Sequence, residues 1–273
     1  MLFPPSLLPS IPPFHQPLFS FLEFSNLQLS CLVFCALLIG VAKSGFAGGI
    51  GILVTPLLAL VMDASMALGL LLPLLFSADI FNFYHYWKQW ERSSLVMVVP
   101  GSVLGVICGW PLLHHLKDGG ANTDYLAKAI GISALVFGLI TLYKDLKGKL
   151  DSPFRPNAGH GLLAGVTAGA ISTLAHQGGL ITQMYLLPQR LSPQAFVAST
   201  TVIYFTINLS KFPIYIAEGV LDLNRTLYAS ALVPIVFGGS LFGKYLNERL
   251  SPKFFTKIII AFVMFAAVKL LWD

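Results

Sequence analysis

The chain has 273 residues, of which 56% are hydrophobic and only 11% charged, with a mean hydropathy of +0.77. A soluble domain carries about 25% charge, so lipid rather than water must cover most of this surface. The net charge of +5 comes from basic residues in short loops between apolar runs. That pattern speaks for membrane orientation and against nucleic-acid binding, since no aromatic-interleaved basic patch exists.

Residues 1–26 form a Pro- and Ser-rich tail whose first sixteen residues hold no Lys or Arg, unlike a cleavable signal. An apolar stretch of unusual length follows, Leu27–Met62. As one straight helix it would be about 54 Å long, far beyond a hydrocarbon core of about 30 Å. It is broken at Ser44-Gly45-Phe46-Ala47-Gly48-Gly49. Three ordinary spans are expected next, at Met66–Trp87, Leu95–Leu116 and Tyr125–Tyr143. After a linker at residues 148–159 the pattern restarts. Gly161–Leu187 is again broken, at His176-Gln177-Gly178-Gly179, and Gln194–Ala217, Leu227–Leu246 and Phe254–Leu271 follow as spans.

This recurrence is a duplication. Val99-Pro100 with Gly105, Gly109 and Leu116 repeats at one spacing as Val233-Pro234 with Gly239, Gly243 and Leu250. Gly48-Gly49 matches Gly178-Gly179, and Phe83 and Tyr86 match Phe212 and Tyr215. The expected fold is therefore an all-α membrane protein of two four-segment halves, residues 27–147 and 160–273.

Lys and Arg in the loops bear on how the halves are oriented. If all eight segments cross the membrane, these residues divide eight against seven; if both broken segments re-enter on the side they left, they divide eleven against four. The second division is the asymmetry of a cytoplasmic face. It makes the halves inverted repeats, each with a re-entrant hairpin and three transmembrane helices. Non-helical backbone at membrane depth must be covered by protein or line a cavity. Two hairpin tips meeting would meet that requirement and enclose a site, and paired glycine-broken segments are where a transporter binds its substrate.

The residues at the breaks suit an anion. Lys43, Ser44, Gly45, Gly48 and Gly49 offer an ammonium, a hydroxyl and accessible backbone N–H groups at a helix start. Ser172, Thr173, His176, Gln177, Gly178 and Gly179 offer hydroxyls, an imidazole, an amide and backbone donors. Each has a plainer reading: Lys43 snorkels to an interface, and Ser172 and Thr173 support a kink. On the following helices Asp79 aligns with Asn208, a further substrate-binding candidate. Asn82 and Lys211 either join the site or meet water near a helix end. His176 and Asp79 are the candidates for coupling to protons. Cys31, Cys35 and Cys108 lie in apolar runs and read as buried structural thiols, and His114-His115 as a pair at a loop edge. The spaced glycines read as helix-packing faces and Trp87, Trp90, Trp110 and Trp272 as interface anchors. No nucleotide-binding, metal-ligand or nucleophile motif occurs, so neither a cofactor nor enzymatic activity is expected.

Several of these runs resemble the TauE/SafE sulfite exporter family. The break leading into Ile52-Leu53-Val54-Thr55-Pro56-Leu57-Leu58 carries the resemblance. So do Ala198-Ser199-Thr200-Thr201, Asn208-Leu209-Ser210-Lys211-Phe212-Pro213-Ile214-Tyr215, and the helices of Pro100 and Pro234. It extends from about Leu29 over nearly the whole chain. The resemblance implies a multi-pass permease of the bacterial inner membrane that moves sulfur-containing or organic anions, often outward. The chain departs from the family's usual glycine runs, with Lys43-Ser44 at one break and His176-Gln177 at the other, which favours a substrate with an anionic head. The expected function is thus secondary transport, most often export, of sulfite, a sulfonate or a related carboxylate by alternating access. An anion channel of the same architecture is the alternative. Its partners are the lipid bilayer, a small anion and, for coupling, protons.

Overall fold

The computed structural model describes residues 24–45, 51–117, 125–147, 157–249 and 252–272. It is helical throughout: α1 (Asn26–Gly45), α2 (Gly51–Ala59), α3 (Ala64–His85), α4 (Arg92–Lys117), α5 (Tyr125–Lys147), α6 (Ala158–Ala175), α7 (Gly179–Leu186), α8 (Pro193–Ala217), α9 (Leu223–Ala231), α10 (Val233–Arg249) and α11 (Pro252–Trp272). Among the described residues, five helices are long and apolar enough to cross a membrane, or six if α9 and α10, bent by 40° at their junction, count as one span. Exposed Leu104, Ile107, Leu163, Phe262 and Phe265 mark a surface that suits lipid better than water. The sequence leads one to expect an unbroken span at Leu227–Leu246, but the chain bends at Leu232. Pro234 has no N–H to extend α9 into α10 and sits instead at the start of a new helix.

Both glycine-broken segments fold back on themselves. Gln28 Nε2 at the start of α1 donates to Val61 O, 3.0 Å away, just past the end of α2. Cys31 and Cys35 place their Sγ atoms 3.7 Å from Leu57 O and Val54 O. Contacts that advance along α1 while retreating along α2 define an antiparallel helical hairpin. In the second segment the Tyr185 hydroxyl reaches the backbone of Gly161, and Gly178 lies against Ala168 O. There α7 returns along α6. His176 makes the turn in the left-handed conformation, with φ 54°.

The halves interlock. α6 of the second half packs along α4 of the first, and α10 of the second along α1 of the first. Glycine makes both contacts possible. A Cβ on Gly105 would stand 2.1 Å from Val166 O, and one on Gly40 only 2.0 Å from Val236 O, so the backbones touch directly. α3 and α8 run antiparallel, with Phe76 on Phe212, Asp79 on Asn208 and Phe83 on Phe205. α5 and α11 are antiparallel as well, since Gly131 meets Leu270 while Gly138 meets Met264.

At one end of the bundle Glu218, which caps the C-terminus of α8, ties that helix to α4. Its carboxylate accepts from Trp110 Nε1 at 2.6 Å, lies 2.9 Å from His114 Nδ1, and accepts from Lys117 Nζ at 3.2 Å. His114 thus has a carboxylate partner as well as its place at a helix end. Burial pushes the Glu218 carboxyl up, but these donors outweigh it and hold its pKa at about 2, below the ordinary 4.5. A depressed pKa stabilises the fold above the unfolded value, and that contribution is lost as the acid group protonates. Thermal stability is therefore expected to fall between about pH 4.5 and about 2. Glu218→Gln should flatten that part of a melting-temperature profile; an unchanged profile would discount this clamp.

Candidate functional site

The end of α1, the α6–α7 turn and helices α3 and α8 converge on one buried polar cluster. Lys43, two residues before the end of α1, forms an ion pair with Asp79 of α3. Asp79 is fully buried, and its second oxygen accepts from Asn208 Nδ2 of α8 at 2.6 Å. Asn82, one turn beyond Asp79, donates to the Lys43 carbonyl at 3.1 Å and so caps the end of α1. The Lys43 ammonium also lies 4.4 Å from the centre of the Tyr204 ring, a cation–π contact within effective range.

The second half contributes a separate buried lysine. Lys211 has no exposed surface. Its Nζ lies 2.7 Å from His176 Nδ1, 3.0 Å from Ser172 Oγ and 3.3 Å from Ser172 O. Three acceptors for three ammonium protons account for the whole head group. His176 Nε2 lies 3.0 Å from Leu68 O. A carbonyl can only accept, so Nε2 carries the ring proton and Nδ1 is left to accept from Lys211. Two fixed contacts explain how a histidine is held at positive φ. Tyr215 donates to Thr173 O at 2.8 Å and braces the same turn.

A cavity of about 50 Å³ opens between these groups. Lys43, Ser172, His176, Gly178, Gly179, Tyr204 and Asn208 line it, with Ile39, Ala42, Leu75 and Ile207 as its apolar wall. That volume accommodates a few water molecules or one small anion. The glycines at the start of α7 leave backbone N–H groups without a shielding Cβ, beside the positive end of a helix.

Among the residues expected to bind substrate, Lys43, Ser172, His176, Gly178, Gly179 and Asn208 are brought together here. Ser44 and Gly45 close α1, and Gly48 and Gly49 lie outside the described residues. Thr173 and Gln177 are buried beside the cavity without lining it: Thr173 Oγ1 donates back to Gly169 O, and Gln177 Nε2 turns toward Ile52 O. Asp79 is the counter-ion of Lys43. Asn82 and Lys211, for which contact with water was one reading, are both buried and bonded into the cluster. Tyr204 is a cavity residue that sequence reasoning misses. Its only signal is that it stands one turn before Asn208 on the same face of α8.

The model of the family described as "Sulfite exporter TauE/SafE" matches residues 32–270. The chain belongs to the TauE/SafE sulfite exporter family. Members of this family are transporters of sulfite-type anions and not enzymes, so this TauE/SafE protein is a membrane transporter. Neither a curated protein nor a solved structure matches the chain. In this TauE/SafE chain the polar cluster draws on both sequence halves, at the places where each apolar segment is broken.

Proposed function

We propose that this protein carries small monovalent or divalent oxyanions, sulfite or an organic sulfonate or carboxylate, out of a bacterial cell across its inner membrane. One observation carries the proposal: the cavity between the end of α1 and the α6–α7 turn is bordered by Lys43, His176, Asn208 and the glycine-flanked start of α7. Lys211 supplies positive charge behind Ser172 and His176. An anion's oxygens would take donors from Lys43, Ser172 and the backbone, with the methyl or alkyl part of a sulfonate against Ile39, Leu75 and Ile207. Asp79, shared between Lys43 and Asn208, is the group that an entering anion would compete with for Lys43. Protonation of Asp79 would release that lysine. His176 could take a second proton only after losing its bond from Lys211, so either residue would link proton transfer to anion entry.

The test is counterflow of labelled methanesulfonate in proteoliposomes. Saturable exchange is expected; flux that rises without limit would favour a channel. In the purified protein, Lys43→Ala and His176→Ala should each weaken stabilisation by methanesulfonate, and full stabilisation in both variants would rule out this cavity.

We further propose that the halves, residues 27–147 and 160–273, are inverted repeats whose hairpins are re-entrant. The antiparallel run of α3 against α8 and of α5 against α11, the corresponding helices of the two halves, supports this arrangement. In a cysteine-free background, Asn26→Cys and Asp63→Cys should label from outside and Asn157→Cys and Gln194→Cys from the cytoplasm. Labelling of Asn26→Cys and Asp63→Cys from opposite faces would overturn the hairpin topology.

A further inference from the structure

Proline has no N–H, so Pro56 inside α2 leaves the carbonyl four residues earlier, that of Ile52, without its helical donor. The substitute comes from the other hairpin. Gln177 Nε2 approaches Ile52 O at 3.5 Å, a long and weak bond. Thr55 stands three residues after Ile52, and helical side chains lean toward the N-terminus, which places its hydroxyl over the same turn. Among the described residues, Thr55 Oγ1 and Gln177 Oε1 are the buried side-chain atoms with no hydrogen-bond partner. Both side chains have zero exposure, and neither lines the anion cavity.

Buried polar atoms are almost always paired, so each such orphan requires an explanation. Both orphans are tied to the carbonyl freed by proline, Gln177 through its amide nitrogen and Thr55 through its position one turn along α2. Every group on offer is a neutral oxygen: a peptide carbonyl, an amide carbonyl and a hydroxyl. Divalent ions recruit carboxylates, and none is present in this set. Carbonyls freed at broken helices are the groups that hold sodium in carriers built from discontinuous helices.

We propose that a sodium ion binds here, on Ile52 O, Thr55 Oγ1 and Gln177 Oε1, and draws the two hairpins together. The inference rests on reading the chain as an anion carrier. Gln177 lies between His176 and Gly178, both of which border the anion cavity. Sodium that fixes Gln177 therefore fixes its neighbours, and binding of either ion strengthens binding of the other.

Purified protein is melted in sodium, potassium or choline chloride at one ionic strength, with and without choline methanesulfonate. Sodium alone should raise the melting temperature, saturably, and should lower the methanesulfonate concentration giving half-maximal stabilisation. Thr55→Val removes an unpartnered hydroxyl, so its melting temperature in choline should not fall, but its sodium response should weaken about tenfold or more. Thr55→Ser, which keeps the oxygen, should retain the response. The proposal is overturned if wild-type protein shows no sodium-specific shift while its methanesulfonate shift persists; water then fills the gap and the anion site stands. It is equally overturned if Thr55→Val keeps the full response. A sodium shift without any methanesulfonate shift would support the sodium site and count against the anion cavity.

Discussion

Lys211→Met should abolish methanesulfonate counterflow without lowering the melting temperature of the purified protein. Lys211 is completely buried, and it hydrogen-bonds Ser172 and His176, neither of them a carboxylate. Taking an ammonium out of water without an opposite charge is expensive, and methionine fills a similar volume with no charge to desolvate. The fold has little to lose, although His176 Nδ1 forfeits its donor. Function loses more, because the positive charge behind the cavity disappears and the imidazole is free to turn. Loss of a buried, charge-assisted contact costs about 2–5 kcal/mol, or roughly thirty- to several-thousandfold in kcat/KM. Lys211→Arg should not rescue transport, since a planar guanidinium cannot occupy the space of a compact ammonium. A variant that transports normally would remove Lys211 from the site.

Asp79→Ala should have the opposite stability signature. Asp79 is the buried counter-ion of Lys43 and the acceptor for Asn208. Its removal leaves an ammonium and an amide without their partner at the centre of the protein, which costs about 3–5 kcal/mol when one member of a buried pair is deleted. A much lower melting temperature and loss of transport are both expected. The double variant Lys43→Met/Asp79→Leu separates the two effects. Replacing a whole buried pair by apolar groups of similar volume is often neutral, so most of the stability should return while transport stays lost. Recovered transport in the double variant would show that the pair serves only the fold.

The broken segments were legible because membrane helices obey a strict length rule, which a 36-residue apolar stretch holding Gly45, Gly48 and Gly49 must violate. Lys43, Asp79 and His176 stood out for a related reason: an ionisable group in an apolar run demands a partner. What the sequence could not supply was which partner. Lys211 lies four residues from Tyr215 near the end of a long helix, where water and protein are equally available to a lysine in one dimension. Only the return of α7 along α6, which lays Ser172 and His176 against α8, decides between them. Tyr204 was hidden because its hydroxyl suits a membrane interface as well as a site, and nothing in the sequence shows which it faces. The bend at Leu232 was hidden for another reason: Pro100 and Pro234 match in sequence, yet α4 passes through the first and a new helix begins at the second.

The glycine contacts of the two long interfaces have a mechanical meaning. α6 lies backbone to backbone on α4, and α1 on α10, so each hairpin is clamped to a strut from the opposite half. Such seams slide poorly, because nothing compressible separates the main chains. If the protein works by alternating access, as the proposed carrier function implies, the units that rock past each other would not be the two sequence halves. They would be exchanged bodies, the second hairpin riding with α4 and the first with α10. On that reading the hinge would follow a different line from the boundary between the two sequence halves.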